Sequence, residues 1–318
     1  MKALRISSGQ LRLDEIDRPD AGNESLVRVI KSGICNTDLE IARGYAGFEG
    51  TIGHEFVGIV ENSDDTELIG KRVVGEINAG CGKCALCRQG DPRHCANRTV
   101  LGIHGRDGAH AEFLTLPNQN LLPVPKSVSD IEAVFVEPLA AAYGICEQVS
   151  FDPEARVAIV GDGKLGILCA RSLSPLINGV TIIGKHREKL RLAAKYGNVT
   201  AVLLNEIDGL SRNFDIVIEA SGSESGFATA LDLLKPRGML ILKSTFHGAL
   251  QWESSRVVVD EITIKGSRCG RFDPALKLLA DGNVEVEDLV SEEFCLEEGI
   301  SAMHRASQSG VLKVLLNN

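Results

Sequence analysis

No basic run longer than Lys185, His186 and Arg187 occurs in this chain, and its formal net charge is −9. A nucleic-acid surface needs clustered Lys and Arg to meet phosphates, so nucleic acid is not an expected partner. No stretch approaches the roughly 18 to 20 apolar residues of a membrane-spanning helix, which leaves no expected membrane partner. The opening MKALRISSGQLRLDEIDRPD carries charges every few residues and no apolar core, and reads as the start of a β-hairpin rather than a secretory signal. Repeats and low-complexity tracts are absent, and 44% hydrophobic with 24% charged residues is the composition of an ordinary soluble globular protein. Five of the cysteines, Cys35, Cys146, Cys169, Cys269 and Cys295, are scattered without pairing logic, as expected in a reducing cytoplasm.

What is present is concentrated. Cys81, Cys84, Cys87 and Cys95 fall within fifteen residues as C-x2-C-x2-C-x7-C, with Gly80, Gly82 and Gly90 among them. Four thiolates at that spacing can converge on one tetrahedral Zn²⁺, whereas neighbours two residues apart are poorly placed to bridge each other as disulfides. A closed four-thiolate site is structural, so this lobe, about residues 78–98, defines a scaffold rather than a reaction.

Residues 1 to about 138 carry short alternating segments (LVRVIKSGI, EFVGIVENS, KRVVGEINA, AEFLTLP) broken by Gly, Asn, Asp and Pro, the pattern of a small irregular β domain. From about Ala155 the texture becomes apolar strand, turn and helix in repetition, which predicts a parallel-sheet α/β domain. The last segment ends on a strand that is expected to return to the first domain. The predicted organisation is therefore residues 1–138 with 271–318 as one domain, residues 139–270 inserted as the other, and a cleft between them.

In AIVGDGKLG the residues Gly161, Gly163 and Gly166 follow an apolar strand and open a helix. That G-x-G-x-x-G context suits a dinucleotide pyrophosphate at a helix N-terminus, with Lys164 and Leu165 in the same turn. A Gly-rich connector is the plainer alternative. The next strand, VTIIG, ends in Gly184 and continues with Lys185, His186 and Arg187. With no acid there to receive a ribose 2′-hydroxyl and three potential cations to hold a phosphate, NADP is the expected cofactor and NAD the alternative. Ser221, Ser244 and Arg268, which follow later strands, complete the expected cofactor-binding set.

GICNTD supplies Cys35, GHEFVG supplies His54 and Glu55, and VEPLAAAYG supplies Glu137. A thiolate, an imidazole and a carboxylate would leave a fourth metal position open for substrate, although each residue alone is more often structural. Taken in order with the cysteine cluster, GDGKLG and the terminal VLKVLL, these motifs resemble the zinc-dependent alcohol dehydrogenase family of the medium-chain dehydrogenases/reductases, over essentially the whole chain. The resemblance implies a GroES-like irregular β-barrel built from both chain ends, an inserted Rossmann domain, and two zinc ions per chain. It implies hydride transfer between NAD(P) and a zinc-bound alcohol or carbonyl.

By the same resemblance Cys35 and His54 are catalytic zinc ligands, Glu137 stands at the third ligand position, and Glu55 is an acid that exchanges on and off the metal. Thr37 resembles the hydroxyl that accepts the substrate proton, and Asp38 the carboxylate that orients the ligand histidine. Two departures stand out. Leu39, Glu40 and Ile41 occupy the place where many relatives carry a proton-relaying histidine, and only 18 residues separate Cys35 from His54. Arg43, Tyr45 and Glu49 in that short segment are either substrate-facing or plain surface. A carboxylate third ligand resembles the polyol and sugar dehydrogenase branch, so a secondary alcohol, polyol or sugar-derived hydroxyl is the expected substrate. The competing readings are a zinc-independent enone or quinone reductase on the same fold and a non-catalytic zinc- and nucleotide-binding protein. The resemblance also implies a homodimer or homotetramer.

Overall fold

The computed structural model describes residues 1–245, 252 and 254–318. These divide into two compact units: Met1–Glu137 with Ala275–Ala280 and Val286–Asn318, and Pro138–Pro274 with Asp281–Glu285.

In the first unit, β1 (Lys2–Ser7) and β2 (Gln10–Glu15) form an antiparallel hairpin. The long β3 (Ser25–Ile34) leads into a short helix α1 (Asn36–Ala42), followed by β4 (Gly50–Thr51), β5 (Glu55–Asn62) and β6 (Arg72–Gly75). β7 (Asn78–Ala79) and β8 (Thr99–Val100) pair across the base of the four-cysteine segment, which contains α2 (Ala85–Arg88). β9 (Phe113–Leu116), β10 (Leu121–Pro123), α3 (Asp130–Val134) and α4 (Val136–Tyr143) complete this stretch.

The second unit is built on β11 (Val157–Val160), α5 (Lys164–Leu173), β12 (Val180–Gly184), α6 (Arg187–Ala193), β13 (Val199–Leu203), β14 (Phe214–Glu219), α7 (Glu224–Leu233), β15 (Leu234–Leu242), α8 (Ser254–Val259) and β16 (Thr263–Gly266). Its sheet is wholly parallel in the order β13-β12-β11-β14-β15-β16. The order reverses between β11 and β14, and ligands of doubly wound sheets bind outside the carboxyl ends of strands at such a switch point. All four residues of β11 are buried, as expected of a strand covered by helices on both faces. Ala158, Val160, Ile183, Val217, Phe227 and Leu240 belong to one continuous core cluster.

α9 (Phe272–Ala280), β17 (Val290–Cys295), α10 (Gly299–Ala306) and β18 (Lys313–Asn317) end the chain. β18 pairs antiparallel with β3, placing Val314 opposite Ile34, while the other side of β3 pairs with β5, placing Gly33 opposite Glu55. The first unit's main sheet therefore runs β10-β6-β5-β3-β18-β17, with strands from both chain ends side by side. Ile6, Ile34, Ile41, Met303, Val314 and Leu316 share its core, and each such side chain removed from water contributes about 1.5–3 kcal/mol. Among the described residues no helix is long and apolar enough to cross a membrane.

Candidate functional site

α1 starts at Cys35, whose extended backbone makes it the N-cap, and Asp38 reaches back to accept the Cys35 N–H at 2.7 Å. This capping arrangement starts the helix and also fixes a thiol and a carboxylate in one turn. Asp38 Oδ1 accepts the Gly53 N–H at 3.2 Å and stands 3.3 Å from His54 Nδ1. On its other side, Asp38 Oδ2 lies 3.6 Å from Nε2 of His110, whose Nδ1 is 2.9 Å from Ser32 Oγ. Asp38, His54 and His110 are all buried. Burial pushes the Asp38 carboxyl up, but the flanking His54 and His110 outweigh it and hold the group well below the usual carboxylate range. Burial likewise pulls His54 down, and the charges of Asp38 and Cys35 overcome it, raising His54 well above an ordinary imidazole. With Nδ1 turned to Asp38, Nε2 is the His54 nitrogen left for a metal.

Cys35 Sγ, a His54 ring nitrogen and a Glu55 carboxylate oxygen lie within 4.8 Å of one another. Glu55 forms an ion pair with Lys313, and neither side chain is exposed to solvent. The pair meets across β3 because Gly33 has no side chain: a Cβ there would stand 2.6 Å from Glu55 Oε2 and 3.2 Å from Lys313 Nζ. Lys313 Nζ also lies 5.4 Å from the centre of the Phe135 ring. Glu137, near the start of α4, is outside the three-donor group but within its field. Burial pushes its carboxyl up to about 7, with His54 pulling it down and Glu55 and Glu76 pushing it further up. Thr37 Oγ1 lies 3.8 Å from Cys35 Sγ. Two packed carboxyls, a thiol and an imidazole form a donor set that a divalent cation would satisfy, and thiolate, imidazole and carboxylate together suit zinc.

The second cluster is Cys81, Cys84, Cys87 and Cys95, whose sulfurs also lie within 4.8 Å of one another. The backbone amides of Lys83 and Cys84 draw the Cys81 thiol down to about 6, and Cys87 is pushed up to about 11 by burial and by its sulfur neighbours. Four sulfurs this close cannot all ionise without a cation between them, which is the condition a structural zinc meets.

In the second unit, Gly161 has φ +126°, a region strained for side chains, and a Cβ there would stand 2.6 Å from the Ala220 carbonyl. At Gly163, the N-cap of α5, a Cβ would meet nothing within 4 Å, so the space beside the turn is open. Lys164 and Leu165 are half-buried in the first turn of α5, and Gly166 lets the Gly161 carbonyl pack against the helix. An open Gly-rich turn at the N-terminus of a ten-residue helix fits a pyrophosphate. At the ends of β14 and β15, Glu219 accepts the Ser221 N–H at 2.7 Å and the Ser221 hydroxyl at 2.6 Å, and also the Ser244 hydroxyl. Lys243, next to Ser244, donates to the Arg268 carbonyl at 2.7 Å and leaves the Arg268 side chain exposed. At the end of β12 Gly184 is buried, and beyond it Lys185, His186 and Arg187 are exposed.

The structure thus draws Cys35, Thr37, Asp38, His54 and Glu55 together, with Glu137 close by, and ties Ser221 to Ser244 through Glu219. Arg43 and Glu49 have other partners: Arg43 pairs with Glu40, and Glu49 accepts the Ser8 and Gly9 amides. Lys313, His110, Asp162 and Glu219 were not singled out from sequence. A lone buried His or Lys carries no local pattern, and the only signal was the polar Asp inside the Gly-rich turn.

A four-cysteine lobe suited to a structural zinc, a three-donor group suited to a reactive one and a doubly wound dinucleotide unit define a metal-dependent, nicotinamide-linked oxidoreductase. The sequence matches the family descriptions "Alcohol dehydrogenase GroES-like domain" over residues 21–126 and "Zinc-binding dehydrogenase" over residues 163–281. It is 31% identical to an L-threonine 3-dehydrogenase of Shewanella woodyi, covering 100% of this chain and 99% of that protein. It is 29% identical to a sorbitol dehydrogenase of Halalkalibacterium halodurans, covering 99% of each. A zinc-binding dehydrogenase of Sinorhizobium meliloti bound to NADP superposes with a TM-score of 0.90 at 27% identity, covering 100% of this chain and 99% of the other. The chain belongs to the zinc-dependent alcohol dehydrogenase family of the medium-chain dehydrogenases/reductases, and two similar solved structures were determined with NADP and with NADH. It has the expected GroES-like and Rossmann-type fold and is an alcohol-dehydrogenase-type oxidoreductase acting on a small molecule. The comparisons support this hydride-transfer reading and not the enone reductase or the non-catalytic alternative.

Proposed function

We propose that the chain oxidises the secondary hydroxyl of a polyol or sugar-derived alcohol, or reduces the matching ketone, with NADP preferred over NAD. The observation that carries the reading is the three-donor group of Cys35, His54 and Glu55, backed by Asp38 and flanked by Thr37. When bound, zinc supplies a Lewis acid for an alcohol or carbonyl oxygen, and NAD(P) supplies the hydride acceptor or donor. Cys35 and His54 would hold the metal together with the carboxylate of Glu55, for which that of Glu137 could exchange. Asp38 keeps the His54 ring oriented, and Thr37 Oγ1 accepts a hydrogen bond from the substrate hydroxyl and relays its proton, releasing its own hydroxyl proton to water. Cys81, Cys84, Cys87 and Cys95 hold the second, structural zinc. Gly161, Gly163 and Gly166 admit the pyrophosphate.

The sorbitol and threonine of the relatives' names both carry secondary hydroxyls beside polar groups, which supports the substrate class. The reading includes a cytoplasmic homodimer or homotetramer formed through the free edge of the six-stranded sheet. The exposed Val258 and Val259, 74% and 79% accessible and next in the chain to edge strand β16, support it.

A panel of polyols, sugars, secondary and primary alcohols, assayed with NADP and NAD, tests the substrate class. Secondary polyol hydroxyls are expected to exceed primary alcohols in kcat/KM by about tenfold or more. Nucleotide binding with no alcohol turnover, or turnover confined to enones, would contradict the proposal.

A further inference from the structure

NADP and NAD differ only at the adenosine ribose 2′ position, which the end of the second strand of a dinucleotide fold reads. In this chain that place follows β12, where Lys185, His186 and Arg187 face solvent. They do not act alone. Asp162, in the Gly-rich turn after β11, reaches across so that its Oδ2 accepts the His186 backbone N–H at 2.6 Å. Both of its carboxylate oxygens stand 3.1 Å from His186 Nδ1. Gly184 makes this reach possible, because a Cβ there would overlap the Asp162 carboxyl group.

The pair is asymmetric. The Asp162 side chain is only 10% exposed, whereas that of His186 is 47% exposed. An acid that reads the ribose 2′-hydroxyl of NAD must present a carboxylate oxygen to it, and this carboxylate is turned inward to His186. The outward edge of the turn is the imidazole. Facing a carboxylate, Nδ1 carries a proton, so the ring orientation is set with Nε2 pointing away from Asp162. Lys185 and Arg187 flank it in sequence. Glu206 lies 3.5 Å from Arg187, but both side chains are more than half exposed and their attraction is weak.

We propose that Asp162 is a positioning residue for the NADP 2′-phosphate, acting through His186. Asp162 locks the turn and the ring, and His186 with its basic neighbours meets the phosphate. This rests on the NADP reading given above and adds a residue to it.

The test is the dissociation constants of NADPH and NADH, from nucleotide fluorescence, on the full-length zinc-loaded chain and its Asp162→Asn, His186→Gln and doubly substituted variants. The wild type should favour NADPH. Each single substitution should weaken NADPH about tenfold, the worth of one charge-assisted hydrogen bond, and leave NADH within about twofold. The double variant should be no weaker than His186→Gln, because Asp162 acts through that ring. Tighter NADPH binding by Asp162→Asn would overturn the proposal and show instead that the acid repels the phosphate. Equal loss of both nucleotides would show a merely structural role. If Asp162→Asn does not fold, an unchanged NADPH preference in His186→Gln is by itself enough to overturn it. A wild type that binds neither nucleotide defeats the underlying dinucleotide reading. One that binds both, with the same ratio in every variant, defeats only the role of Asp162.

Discussion

Replacing Cys35 or His54 by Ala is expected to lower the zinc content from two per chain to one and to cut kcat/KM by about 10³-fold or more, while the fold survives. The two clusters share no ligand, so the four-cysteine lobe keeps its metal when the three-donor group loses one. The fold should persist because Cys35 is only partly buried and the α1 start depends mainly on Asp38 accepting its backbone N–H. Asp38 remains buried in both variants, held by the Gly53 amide and faced by His110. The loss should therefore be in kcat rather than in melting temperature. Zinc analysis paired with circular dichroism separates the cases: full activity with one zinc lost would remove this group from the chemistry.

Lys313→Met is expected to destabilise the chain by about 3–5 kcal/mol, because it leaves the fully buried Glu55 carboxylate without the ammonium that faces it. For a unit of this size that corresponds to a melting temperature roughly 10 °C lower. The damage should be greater in chelated protein, where no metal stands in for the lost cation. Glu55→Gln combined with Lys313→Met should recover more than half of it, since neither charge is then stranded in the interior. Differential scanning fluorimetry of the three variants with and without chelator measures this. A single variant that melts like the wild type would show that water or Glu55 protonation relieves the site.

The parts legible in sequence were those written in short contiguous stretches. Cys81 to Cys95 lie in one loop, and Gly161 to Gly166 lie in one strand-turn-helix joint, so spacing alone conveyed their geometry. Cys35, Thr37 and Asp38 likewise share the start of α1. Lys313 was hidden because its position comes from strand pairing between chain ends. β18 and β5 flank β3 from opposite sides, and only the missing side chain of Gly33 lets Lys313 meet Glu55 through it. His110 reaches Asp38 by the same kind of long-range packing, against a Gly53 whose Cβ would collide with the ring. Asp162 lay in a recognised motif, yet its partner His186 is one strand and one helix away in sequence. An acid absent from the end of β12 is present there in space, a fact that periodicity cannot encode.

The most direct measurement is zinc per chain by elemental analysis of protein purified without chelator, followed by NADP-linked oxidation of a polyol before and after partial metal removal. A structural four-thiolate site and a separate reactive site predict two zinc ions per chain, with turnover lost when the more labile one is removed and restored when it is returned. One zinc per chain, or turnover indifferent to loss of the second, would contradict the assignment of Cys35, His54 and Glu55 to the reaction.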